Sequence, residues 1–207
     1  MSGFLKRYTE LPYLLHLLKT KQITLVNPKL WDDKNDSHHI ESYKNQKSLE
    51  SVLALCLTDA SETYHHWKVF SSGTAGVCIE FDKDRLLSWA KGINGLRTGA
   101  VTYRTMNSVR GTPPMLEELP FLKRHAFRDE REFRLIFEDK NHALPYKDVA
   151  LDLGAILKIV VNPWLPKSVF ESVKALVKSI EDCETIRVLR TTLVDNEEWK
   201  RIGSPKV

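Results

Sequence analysis

Val52-Leu53-Ala54-Leu55-Cys56-Leu57 is an unbroken apolar run, short enough for a strand buried on both faces. Two runs of similar character follow: Gly76-Val77-Cys78-Ile79-Glu80-Phe81, and Ile156-Leu157-Lys158-Ile159-Val160-Val161, which ends at Asn162-Pro163. Glu132-Phe133-Arg134-Leu135-Ile136-Phe137 instead alternates polar and apolar residues, as a half-buried strand does. Shorter strands are expected at 5–8, 23–26, 100–103 and 186–189. Helical stripes lie between them. Leu11, Leu14, Leu15 and Leu18 mark a helix over 11–19, with Thr9 as cap and Pro12 in the first turn. Val169, Val173, Leu176, Val177 and Ile180 mark a helix opened by Pro166 and Ser168. Shorter helices are expected from Tyr64 to Phe70, capped by Thr58 or Ser61 and stopped by Ser71-Ser72-Gly73, over 84–90 and over 115–124. The polar stretch 31–37 reads as a loop. The pattern predicts an α+β fold: one mixed, mainly antiparallel sheet with helices packed around it. It predicts a single domain over 1–207, completed by a strand-helix-strand unit over 156–190.

Composition sets the outer bounds. The chain has 207 residues, 42% hydrophobic and 28% charged, which suffices for an ordinary core and excludes disorder by composition. Mean hydropathy is −0.32, and no apolar run reaches the roughly 20 residues of a membrane span. The first residues lack the long apolar segment of a secretory signal. Cys56, Cys78 and Cys183 are odd in number and scattered, so neither a disulfide framework nor a zinc ribbon is expected. The expected location is the cytoplasm. A net charge of +4 permits a polyanionic partner without requiring one.

Three segments place polar groups beside core strands. In Lys6-Arg7-Tyr8, Arg7 can present a planar, permanently charged fork to a phosphate or carboxylate; it can equally be a surface residue beside a packed Tyr. In Tyr64-His65-His66-Trp67-Lys68-Val69-Phe70, the helical spacing of Tyr64, Trp67 and Phe70 permits an aromatic wall for a flat heterocycle, or simply closes the core. Adjacent histidines, here and at His38-His39, point to different faces and make no metal pair, so no metal is expected. In Glu130-Arg131-Glu132-Phe133-Arg134, spacing by two puts Glu130, Glu132 and Arg134 on one face. Paired carboxylates repel, which raises the pKa of one. Spacing alone favours an exposed ladder of salt bridges on a solvated sheet face. No phosphate-binding loop, dinucleotide glycine fingerprint, zincin helix or nucleophile elbow is present.

Taken in order, Lys6-Arg7-Tyr8, Asn35-Asp36, Cys56-Leu57-Thr58, Trp67, Gly76-Val77-Cys78-Ile79-Glu80-Phe81, Val101-x-Tyr103, Lys123 and Phe127-x-x-Glu130-x-Glu132-Phe133-Arg134 resemble the bacterial family named domain of unknown function 2971, over about residues 4–161. The chain departs from that pattern at Ser37-His38, Phe70 and Phe127. That family name implies no activity. A second resemblance does: a basic residue and an aromatic on the first strand, a Leu-x-x-Leu-Leu helix and a late Glu-x-Glu pair are similar to ADP-ribosyltransferases. This resemblance implies NAD as substrate, with Arg7 on its pyrophosphate or adjacent ribose and Tyr64, with Trp67, packed on the nicotinamide. It assigns Glu132 to the ribose 2′-hydroxyl and the developing oxocarbenium ion, and Glu130 to the acceptor. The acceptor would be a protein or nucleic acid, and the implied role that of a toxin or phage-defence effector. Two non-catalytic readings stand beside it: a nucleic-acid binder using Arg97, Arg104, Arg110, Lys123, Arg124, Arg128 and Arg131, and an interaction module with the Glu-x-Glu face as its partner surface.

Overall fold

In the computed structural model, which describes residues 3–71 and 73–203, β1 (Phe4–Glu10) runs straight into α1 (Leu11–Thr20). Met1, Ser2 and residues 204–207 lie outside the described residues, as does Ser72 of the expected helix stop. Pro12 occupies the first turn of α1, but the capping position falls on Glu10 rather than Thr9 and has no side-chain hydrogen bond. Leu14, Leu17 and Leu18 are buried, with Leu11 and Leu15 packed at the margin. Lys21 takes left-handed backbone geometry (φ 53°) and turns the chain into β2 (Gln22–Val26).

The stretch read as a loop is only partly one. Asp33 caps a helix, its carboxylate accepting from the backbone N–H groups of Asn35 and Asp36 at 3.0 and 3.4 Å, and α2 runs over Lys34–Gln46. Then come β3 (Ser51–Thr58), α3 (Tyr64–Phe70), β4 (Gly76–Asp82) and α4 (Lys83–Lys91). The cap of α3 is Thr63, not Thr58 or Ser61, and it accepts from the His66 N–H. The single strand expected over 100–103 divides at Val101 into β5 (Leu96–Ala100) and β6 (Thr102–Arg104), which join different sheets. After α5 (Met106–Gly111), the helix expected over 115–124 is a 3-10 segment (Leu116–Phe121) followed by β7 (Leu122–Arg124). Pro120 lies inside that segment, where its missing N–H prevents a regular helix. A second 3-10 segment, His125–Glu130, leads into β8 (Glu132–Asp139). The rest is β9 (Tyr146–Ala150), β10 (Ile156–Val161), α6 (Lys167–Lys178), β11 (Arg187–Arg190) and α7 (Glu197–Ile202).

The large sheet runs β11-β10-β4-β1-β3-β2-β9, with β8 and β5 joined to it through β3. Among the described residues only β10 and β11 are parallel within it; every other pair is antiparallel. This is the expected α+β sheet with helices around it. A separate parallel pair, β6 and β7, stands beside it.

The pairing of β3 positions the candidate site. A strand has two hydrogen-bonding edges, yet β3 has three neighbours. β8 takes one edge residue for residue, from Ser51 opposite Asp139 to Thr58 opposite Glu132. The other edge is shared: β1 meets it at Lys6 and Thr58, and β2 at Val26 and Ala54. Beyond those points β1 follows β4 and β2 follows β9. The sheet therefore forks at β3, and Cys56 sits in the fork as the one residue of that strand not fully buried.

Candidate active site

The fork holds a cavity of about 450 Å³. Its walls are Lys6, Arg7 and Tyr8 of β1, Val26 of β2, Ala54 and Cys56–Thr58 of β3, the segment around Trp31–Asp33 with Asp36, Val69 and Phe70 of α3, and Lys123, Phe127, Glu130 and Glu132. Where the fork leaves the β3 edge open, its carbonyl groups need other donors. Arg7 Nη1 supplies one, bonding to the Cys56 carbonyl at 3.1 Å. Arg7 is half-buried, and burial works against its charge. Among the described residues it has no carboxylate within ion-pairing distance. It is thus a desolvated cation whose fork is largely unused, facing a cavity. The other cations on the wall are engaged: Lys6 bonds the Ala60 carbonyl and lies 3.9 Å from Glu80, and Lys123 bonds Glu130 and Glu132.

Beside Arg7 stands an acidic cluster organised by Arg134, which is 0% exposed. All five N–H groups of its guanidinium are used. Nε and Nη2 donate to Glu132 Oε1 and Oε2 at 2.7 and 2.9 Å. Nη1 and Nη2 donate to Asp36 Oδ1 and Oδ2 at 2.8 and 2.5 Å, and Nη1 also reaches the Pro120 carbonyl at 2.9 Å. The Trp31 ring covers the group, 4.9 Å from Cζ. The ladder expected on a solvated face is therefore a buried network, because α2 lies across that face and brings Asp36 onto it.

Glu130 and Glu132 do face the same way, but not through strand alternation. Glu130 ends the 3-10 segment, and Arg131 is left-handed (φ 44°). The Thr58 hydroxyl holds the Glu130 carbonyl at 2.6 Å, so this strained turn is clamped to the end of β3. The two carboxylates converge on Lys123 Nζ, at 2.5 and 3.2 Å. Their electrostatics diverge as paired acids do. Burial alone would raise the Glu132 carboxyl, but Arg134 and Lys123 outweigh it and hold it down to about 2. Burial pushes the Glu130 carboxyl up, against the pull of Lys123. Cys56, beside Glu132, is pushed well up by burial and then by that carboxylate, which makes it a hydrogen-bonding thiol and not a nucleophile.

The structure thus brings Arg7, Glu130 and Glu132 to one cavity. Tyr64 and Trp67 are not on its walls. Tyr64 is 54% exposed and packs edge-on against Trp164, 5.5 Å between centroids. Trp67 is 1% exposed, sits edge-on to Tyr8 at 5.1 Å, and donates from Nε1 to Glu62 at 2.7 Å. Phe70 lies against His66, so the aromatic wall expected from helical spacing does not form; each ring has a different partner. The aromatic residues that do line the cavity are Tyr8, Trp31, Phe70 and Phe127. Asp36 and Lys123 belong to the site without having been assigned a role in it from the sequence: Asp36 stood out as a mark of the family resemblance, and Lys123 as that and as one of the basic residues of the nucleic-acid reading. Among the described residues no group of three or more His, Cys, Asp and Glu is placed to hold a metal, and no helix is long and apolar enough to cross a membrane.

No protein-family model matches the chain, so the resemblance to domain of unknown function 2971 has no match behind it. No curated protein matches either. Among solved structures, the chain is similar to DarT of Thermus sp. 2.9 in complex with ADP-ribosylated ssDNA, at 12% identity and TM-score 0.48, covering 92% of this chain and 94% of that one. It is similar also to the same protein in complex with NAD+ (13%, TM-score 0.47, 92% and 96% covered) and with carba-NAD+ (11%, TM-score 0.47, 92% and 96% covered). At these identities the likeness carries no residue-by-residue correspondence.

Replacing Arg134 by Met leaves Asp36 and Glu132 buried and facing one another, and should destabilise the fold by about 3–5 kcal/mol at pH 7. Denaturant unfolding checks this, and the loss should shrink below pH 4, where protonation relieves the repulsion. In the wild-type chain the sign is opposite. The folded pKa of Glu132 is depressed, so its contribution is complete above the ordinary carboxylate range and disappears as pH falls through about 2. An Arg134→Met chain as stable as wild type at pH 7 would contradict the network's role.

Proposed function

We propose that the fork cavity binds NAD and catalyses transfer of ADP-ribose from it to an acceptor nucleophile. The observation that carries this reading is the presence, on one cavity wall, of a cation that has no carboxylate partner among the described residues, Arg7, and a carboxylate held ionised, Glu132. NAD has the complementary pattern: an anionic pyrophosphate, and a ribose carbon that becomes cationic when nicotinamide departs. Arg7 offers the pyrophosphate charge-assisted hydrogen bonds.

The chemistry is that of a glycosidic displacement. The bond between the ribose C1′ and the nicotinamide nitrogen breaks, its electron pair leaves on the ring, and neutral nicotinamide departs. Glu132 accepts a hydrogen bond from the 2′-hydroxyl and stabilises the positive charge developing at C1′. Because Arg134 and Lys123 fix its orientation beforehand, little reorganisation is needed as that charge appears. The acceptor then bonds to C1′, and its proton passes to Glu130, the more basic of the two acids. Tyr64 and Trp67 are replaced in the stacking role by Trp31, Phe70 and Phe127. Acting on the NAD of a cytoplasm, such an enzyme would be the toxin or phage-defence effector that the resemblance implies, with a protein or nucleic acid as acceptor.

Nicotinamide release, measured with lysate supplying acceptors, tests the reading. Glu132→Gln should lower kcat by about 10²-fold or more, and Glu130→Gln should lower transfer without disturbing the Arg134 forks. Arg7→Lys should raise KM for NAD by about tenfold or more, with a smaller change in kcat, since it removes binding common to ground and transition states. Equal turnover by wild type and a folded Glu132→Gln chain would overturn the assignment.

A further inference from the structure

Lys123 stands on β7, outside the large sheet, yet its ammonium is enclosed by groups from three other segments. Nζ lies 2.5 Å from Glu130 Oε2, 3.2 Å from Glu132 Oε2 and 3.8 Å from Asp36 Oδ2, and 4.9 Å from the Phe127 ring centroid. The side chain is 9% exposed. An ammonium this far from water is retained only among opposite charges.

The three carboxylates around it are not held alike. Asp36 and Glu132 each have a two-pronged bond from Arg134. Glu130 has none: among the described residues Lys123 is the side chain that donates to its carboxylate. Three acids and two cations leave the cluster one negative charge in excess, and removal of Lys123 would raise that excess to two.

We propose that Lys123 is a positioning residue, whose ammonium bridges Glu130 and Glu132, fixes their separation and keeps Glu130 an ionised base facing the cavity. The role of Glu130 as base rests on the NAD reading; the bridge itself does not. In the transfer step the acceptor's proton goes to the Glu130 carboxylate, and Lys123 keeps its own. The charged and titratable groups that face the pair from the packed elements are Asp36 from α2, Cys56 from β3, Tyr103 from β6 and Arg134 from β8, with the neutral His66 of α3 beside the Glu130 backbone. Of these, Arg134 alone is cationic, and it is already saturated.

The test is a carbon-13 titration of the glutamate carboxyls in the full chain, alongside the pH profile of nicotinamide release. In Lys123→Gln the Glu130 midpoint should rise by about one unit or more, while Glu132, still gripped by Arg134, moves less. The acid limb of the rate profile should move up by the same amount, and Lys123→Arg should restore both. An unchanged Glu130 midpoint in a folded Lys123→Gln chain overturns the proposal. Should that chain not fold, Glu130→Gln decides from the other side. Without its nearest carboxylate the Lys123 ammonium should lose its proton at lower pH than in wild type, and no change there overturns the bridge. A wild-type chain that releases no nicotinamide, with both titration shifts present in the variants, would keep the bridge and discard the NAD reading.

Discussion

Arg134 is buried in the sheet with all five of its N–H groups bonded, and the candidate site depends on that saturation. A guanidinium taken out of water is tolerated only when carboxylates meet it with good geometry and no donor is left over. The two that do so come from different places. Glu132 is on the same strand, and Asp36 is on α2, 98 residues away in sequence. The network is therefore also a tertiary clasp. It pulls the start of α2 onto the sheet, and with it Trp31, which closes over the guanidinium and forms part of the cavity wall. The same bonds keep Glu132 ionised far into acid. Structure and chemistry here have one cause.

The fork supplies the space. A sheet that continued regularly past β3 would leave no opening, because each backbone group would find its partner in the next strand. Sharing one edge of β3 between β1 and β2 breaks that continuity and leaves Cys56 partly open between them. Arg7 bonds the Cys56 carbonyl with one of its N–H groups, which orients the rest of the guanidinium. An irregularity in strand pairing thus places on one cavity an ionised acid and a cation that, among the described residues, has no carboxylate partner.

The run that became β3 was legible because a strand buried on both faces must be apolar throughout; β10, with Leu157 exposed and Lys158 half-buried, is covered on one face and was legible from its β-branched content. The Glu-x-Glu-aromatic-Arg segment was legible as chemistry, although not as burial: nothing local to Arg134 says that a helix from elsewhere will cover it. The helix that does so was misread for a physical reason. Over Lys34–Gln46 only Ile40 and Tyr43 provide apolar contact, and the third buried residue is Asp36, so α2 carries almost no apolar periodicity. Its attachment joins the Asp36–Arg134 ion pair to a small apolar cluster in which Ile40 and Tyr43 pack with Leu49, Val52, Ala54 and Ile136. Tyr64 and Trp67 illustrate the opposite error. Their spacing was right for a shared surface, but Trp67 turned into the core toward Tyr8 and Glu62, and Tyr64 turned out toward Trp164. Helical spacing says which residues can be neighbours, and the packing partners decide whether they are.

The most direct measurement is a crystal structure of the chain with a hydrolysis-resistant NAD analogue. The account predicts the pyrophosphate on the Arg7 guanidinium, the nicotinamide ribose with its 2′-hydroxyl on Glu132, and the C1′ face open toward Glu130, all within the fork. An analogue bound elsewhere, or one in the fork with its pyrophosphate away from Arg7 and its ribose out of reach of Glu132, would contradict it.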